Sequence, residues 1–125
     1  MSLKRLSLGR SGEQMAARFL RKKGYRILET NFRTSRGEID IIASINHVLV
    51  FIEVKTRNSS FLDSPLAAVT VKKQRQISMV AQEYLGSNNL FENEARFDVI
   101  AVEMLDDAAP RIEHIENAFD LSYGY

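Results

Sequence analysis

A mixed α/β fold with the element order αβββαββ follows from three features of this 125-residue sequence. Apolar residues recur at helical spacing in two segments and alternate, or run continuously, in five shorter ones. The second and third strand-like segments are joined by a stretch short enough for a hairpin, so the first three strands form a meander. The second helical segment then gives the chain room for a crossover, which brings the fourth strand in parallel to the third.

Taken in order, Ser11-Gly12-Glu13-Gln14 has the form of a capping box, and Met15, Ala16, Phe19 and Leu20 share a helical face until Gly24. The first helix is therefore expected over about 12–23. "YRILETNFR" reads as the first strand, "EIDIIA" as the second and "VLVFIEVKTR" as the third, with "SINH" as the turn between the last two. After the polar loop "NSSFLDSP", Ile77, Val80, Ala81, Tyr84 and Leu85 line one side of a second helix that stops at Gly86. "RFDVIAVEM" and "RIEHIE" are the closing strands, separated by "DDAAP", and the two prolines, Pro65 and Pro110, both mark loops.

Composition narrows the chemistry. With 45% apolar and 26% charged residues, a chain of this length is expected to form one domain over residues 1–125. It has no cysteine, which excludes disulfides and thiolate metal sites, and only His47 and His114 could offer imidazole. A metal here would be held by oxygen. The longest apolar run, Val48–Ile52, is far short of a membrane span, and "MSLKRLSLGR" lacks a signal-peptide core, so a cytoplasmic protein without a membrane partner is expected. Residues 1–36 carry ten Lys/Arg against two Glu (+8), whereas 37–125 carry seven against fourteen acids (−7). Such a division suits a polyanion that needs attraction in one place and a bound cation in another, although a charge run is also the ordinary face of a solvated helix.

The acids interrupt the most apolar strands. Side chains alternate along a strand, so Glu38, Asp40 and Ile42 would share one side, and Leu49, Phe51, Glu53 and Lys55 one side of the next strand. A turn centred on Ile45-Asn46 would pair residues whose numbers sum to 91, setting Asp40 opposite Phe51 and diagonal to Glu53. Adjoining carboxylates repel unless a cation lies between them, and a hard divalent ion answers that need. Lys55 would reach the same place and stabilise charge on a phosphate. Singly, each residue has a plain structural reading: Glu53–Lys55 as a surface ion pair, Asp40 as a solvated strand residue, and Glu13 as an acid favoured by the helix dipole.

At "GEIDII…VFIEVKTR" the sequence resembles the metal-dependent nucleases of the PD-(D/E)xK type, the restriction-endonuclease-like superfamily. More closely it resembles the YraN family of small bacterial proteins, similar in turn to archaeal Holliday junction resolvases. "GEQMAARFLRKKGYRILETNFR", "GEIDIIA", "VFIEVKTR", "AVTVKKQRQI", "RFDVIAV" and "IEHIENAF" carry the likeness across nearly the whole chain. The resemblance implies a restriction-endonuclease-like fold with helices flanking a mixed central sheet. It further implies that Asp40 and Glu53 ligate Mg²⁺ or Mn²⁺, that Glu13 completes the acidic cluster and that Lys55 is catalytic. Glu38 fits the family pattern, and pairing with a basic side chain is its second reading. Ile39 stands where the superfamily has its nominal proline, and the loop with "FLDSPLAA" differs from the family's glycine-containing one.

The function so implied is a metal-dependent DNA endonuclease acting on branched or deformed DNA. Arg33, Arg36, Arg57, Lys73, Gln74 and the run Arg21–Lys22–Lys23 are the candidate nucleic-acid contacts. DNA is the expected partner, with a homodimer as a compatible assembly. The rival reading is a nucleic-acid-binding or recombination accessory module that keeps the fold and does not cut.

Overall fold

In the computed structural model, which describes residues 3–57, 69–106 and 108–121, the chain begins with a 20-residue helix, α1 (Leu3–Lys22). This helix starts nine residues ahead of the expected position, so the Ser11–Gln14 stretch lies inside it and does not cap it. Gly12, a poor helix former by about 1 kcal/mol, lies within α1 where the helix packs on Thr56 of the sheet. A Cβ there would overlap Thr56 Oγ1 and come within 2.9 Å of the Thr56 Cβ. The end of α1 is as expected. Gly24 adopts φ +93°, its N–H bonds the Arg21 carbonyl at 3.0 Å and the Tyr25 N–H reaches back to Leu20 O at 3.0 Å, which together form a Schellman motif.

Three strands follow, β1 (Arg26–Thr34), β2 (Gly37–Ile45) and β3 (Val48–Arg57), then α2 (Val71–Ser87), β4 (Ala95–Glu103) and β5 (Arg111–Phe119). They form one five-stranded sheet in the order β1-β2-β3-β4-β5, antiparallel except for the parallel β3–β4 pair. The crossover through α2 thus has the predicted consequence. The atypical loop after β3, with Pro65, lies outside the described residues.

Each helix covers one face. Ala16, Ala17 and Leu20 of α1 bury Ile41, Ala43, Val50, Ile52, Val54, Ile100 and Val102. On the other side Ile77, Val80, Ala81, Tyr84 and Leu85 of α2 pack over Ile39, Ile42, Leu49, Phe51, Phe97 and Val99. β3 is sandwiched, which is why its sequence is nearly continuous apolar. Among the described residues, no helix is long and apolar enough to cross a membrane.

The β2–β3 hairpin corrects the expected register. Ile45 pairs with Val48 and Ile41 with Ile52, so paired numbers sum to 93, not 91, and the turn is Asn46-His47. Both turn residues are left-handed, at φ 48° and 68°. Asparagine tolerates that conformation and β-branched Ile45 does not, so the turn moves one residue along. The paired ladder stops at Ile41–Ile52, and Asp40 and Glu53 lie one residue beyond it.

Candidate metal centre at the strand fork

The ladder of β2 and β3 ends at Ile41–Ile52, and beyond it the Asp40 side chain replaces the backbone partner: Oδ2 accepts the Val54 N–H at 2.8 Å. The strict alternation expected along β2 also fails here. Ile39 and Ile42 both pack on the α2 side and Ile41 and Ala43 on the other. Instead of sharing a face with Ile42, the Asp40 carboxylate lines a cleft with Glu13 of α1. Asn31, in the left-handed region at φ 52°, borders the same cleft from β1.

One oxygen from each of Glu13, Glu38 and Asp40 lies within 4.8 Å of the others, close enough to share an ion. With its amide nitrogen turned toward the acids, Asn31 donates to Glu13 Oε2 at 3.2 Å and Glu38 Oε1 at 3.3 Å. Arg33 Nη2 donates to Glu38 Oε2 at 2.6 Å. Glu53 is only 7% exposed at its side chain, and Lys55 Nζ stands 3.6 Å from its Oε1. Lys73, from the first turn of α2, adds a positive field at Asp40 and Glu53.

The electrostatics mark a place short of positive charge. Burial, then the charge of Asp40, push Glu53 up to about 7 despite Lys73 and Lys55. Glu13 also rises to about 7, through burial and then Asp40. Asp40 rises chiefly because it is buried, the Val54 and Glu13 hydrogen bonds working in the other direction. Acids held above their ordinary range in a cleft are the expected condition of ligands without their cation.

Of the residues expected at the site, Glu13, Asp40, Glu53 and Lys55 are gathered at or beside the fork. Glu38 joins the tightest acid group and also pairs with Arg33, the basic partner of its second reading. The candidate nucleic-acid contacts scatter. Arg36 pairs with Glu83 of α2 at 3.1 Å, and Arg57 ends β3, its carbonyl accepting from Met104 N at 2.7 Å. The Gln74 side chain holds Val69 O at 3.0 Å, beside the Thr70 cap that accepts from Lys73 N. Arg21 lines the acid cleft and Lys22 is exposed. Lys23 turns away, its amine 3.1 Å from His114 Nδ1 and over the Phe19 ring. Asn31 and Arg18 were not anticipated. A left-handed backbone at Asn31 leaves no trace in strand periodicity, whereas Arg18 stands at helical spacing from Gln14 and Arg21, the latter already a candidate contact.

Sheet, flanking helices and acid fork together describe an α/β protein built around a carboxylate cluster. Residues 12–102 match the model of the family described as uncharacterised protein family UPF0102, and the chain belongs to that family. Its relatives include UPF0102 proteins of Trichlorobacter lovleyi, 52% identical over 94% of this chain and 93% of the relative, and of Geobacter sulfurreducens, 50% identical over 93% and 91%. A UPF0102 protein of Alkaliphilus oremlandii is 50% identical over 90% of this chain and 97% of its own.

Proposed function

We propose that this protein is a metal-dependent DNA endonuclease with a restriction-endonuclease-like fold, acting on branched or structured DNA. The observation that carries the reading is the fork, where oxygens of Glu13, Glu38 and Asp40 lie within 4.8 Å of one another and Glu53, under the charge of Asp40, stands beside Lys55, with Glu13 and Glu53 raised to about 7. The donors there are all carboxylate oxygens, which fits Mg²⁺ or Mn²⁺ and no softer ion. Asp40, Glu13 and Glu53 would hold the ion, with Glu38 adjoining. When bound, it supplies Lewis-acid stabilisation of the phosphodiester oxygens. Lys55, its amine 3.6 Å from Glu53 Oε1, assists the attack of water and stabilises the charge that develops on the phosphate.

The assay is cleavage of supercoiled, linear, single-stranded and four-way-junction DNA with Mg²⁺ or Mn²⁺. Lys55→Ala should abolish cleavage and leave binding largely intact, because the lysine acts on developing charge and makes few of the contacts. Equal cleavage by the variant would remove Lys55 from the mechanism.

The accessory-module reading has one observation in its favour: Arg33 and Asn31 engage Glu38 and Glu13, occupying carboxylate oxygens that a metal would need. It predicts DNA retention in gel shifts and no cleavage by either protein.

A further inference from the structure

The cleft between α1 and the β1–β2 hairpin, about 600 Å³, has the acids Glu13 and Asp40 in its lining and also Arg18 and Arg21. Four arginines elsewhere lie against carboxylates: Arg33 on Glu38, Arg36 on Glu83, Arg96 on Asp98 and Arg111 on Glu103. Arg18 and Arg21 have no such partner among the described residues, although Glu13 and Asp40 share their cleft. At a rise of 1.5 Å per residue they sit about 8 Å and about 12 Å along the helix from Glu13.

Acids short of a cation and arginines short of an anion therefore line one cleft without neutralising each other. A nucleic-acid strand carrying a divalent ion satisfies both, since the ion sits among the acids and the phosphates further along the strand meet the guanidiniums. Among the described residues the rest of the lining includes Gln14, Ala17 and Thr30 and no aromatic ring, so these residues offer no platform for stacking bases. It is fitted to a backbone and not to a sequence.

The geometry points to a phosphate clamp: Arg18 and Arg21 hold the sugar–phosphate backbone of one strand beyond the acid cluster. This rests on the nucleic-acid reading of the fork. It also divides the basic run at the end of α1, because Arg21 belongs to the clamp and Lys23 is engaged by His114.

The test is fluorescence titration of a short duplex in Ca²⁺ buffer between about 50 and 200 mM salt. Two variants are compared with the parent: Arg18→Gln with Arg21→Gln, and Arg18→Lys with Arg21→Lys. Each duplex phosphate contact contributes about 0.9 to the slope of log K against log salt, so the glutamine pair should lose about 1.8. The lysine pair should keep the slope, since it keeps the charges. An unchanged slope in the glutamine pair, or an equal loss in both pairs, overturns the clamp and leaves the nucleic-acid reading standing. A parent that binds neither duplex, junction nor single strand at about 50 mM salt overturns that reading, and the clamp with it.

Discussion

At the scale of single residues, Asp40 is the pivot of the fork. Its carboxylate accepts the Val54 N–H, raises Glu13 and Glu53, and is raised itself by burial. Asparagine retains an oxygen for Val54 and removes the charge, so Asp40→Asn should leave the metal-free protein as stable as the parent or more so. With Mn²⁺ the order should reverse. An ion binding only the folded parent adds about 1.4 kcal/mol at tenfold excess over Kd, a melting shift of several degrees that the variant should mostly lose. Equal stabilisation of both proteins by Mn²⁺ would remove Asp40 as a ligand. The same shifts set a pH dependence. Glu13 and Glu53 titrate near 7 in the folded protein against an ordinary 4.5, so the folded state keeps their protons while the unfolded state has lost them. Their contribution to metal-free stability is therefore fully present below about 4.5 and is lost as pH climbs through about 7, measurable as a declining melting temperature over that interval. Mn²⁺ needs the ionised acids, and its stabilising increment should grow over the same interval.

At the scale of elements, the position of α1 depends on a missing side chain. Gly12 lets the helix lie against Thr56 of β3, and the next residue, Glu13, is thereby brought over Asp40. Gly12→Ala would gain about 1 kcal/mol in helix propensity, but it forces its methyl into the Thr56 hydroxyl, an overpacking that typically costs about 1–3 kcal/mol. The expected result is a lower melting temperature together with weaker Mn²⁺ stabilisation, since moving α1 moves Glu13. Adding Thr56→Ala should recover part of the loss, because the threonine Cβ remains within 2.9 Å. A Gly12→Ala protein that melts higher than the parent would show that the approach is looser than described.

At the scale of the molecule, a polar network ties the end of α1 to the far edge of the sheet. Asp98, fully buried in β4, accepts from Arg96 Nε at 3.1 Å and from Asn117 N at 3.0 Å, and meets His114 Nε2 at 2.7 Å. Because the Lys23 amine donates to His114 Nδ1, the histidine proton is on Nε2 and points at Asp98. Arg96 Nη2 also donates to Tyr25 OH at 2.7 Å. Burial alone would raise Asp98, but the hydrogen bonds from His114, Arg96 and the Asn117 N–H hold it below its ordinary value. Its contribution is present above the ordinary carboxylate pKa of about 3.9 and is lost as pH falls further, so acid unfolding should begin here and not at the fork. Asp98→Ala leaves Arg96 only the more distant Glu116, at 3.7 Å, and strips His114 and the Asn117 N–H of their acceptor; breaking a buried pair costs about 3–5 kcal/mol. A melting temperature lowered by on the order of 10 °C is expected, and one within a degree or two of the parent would mean the network carries little stability.

Several features of the protein were readable from the chain alone. The order αβββαββ, the parallel entry of β4 and the stop at Gly24 follow from local periodicity, connection length and one left-handed glycine. Each is decided by residues close in sequence. The candidates Asp40, Glu53 and Lys55 stood out because charge in an otherwise apolar strand conflicts with burial. Tertiary structure decided what lies far apart along the chain or depends on backbone irregularity. The capping-box reading at Ser11 failed because close packing of Gly12 on Thr56 outweighs local capping preference. The register moved because Asn46-His47, and not Ile45, can turn left-handed, and the ladder then stops at Ile41–Ile52, where Asp40 takes the Val54 N–H. Whether Glu13 meets Asp40, and whether Lys23 meets a phosphate or His114, depends on where α1 docks on the sheet, and no pattern of spacing within α1 records that.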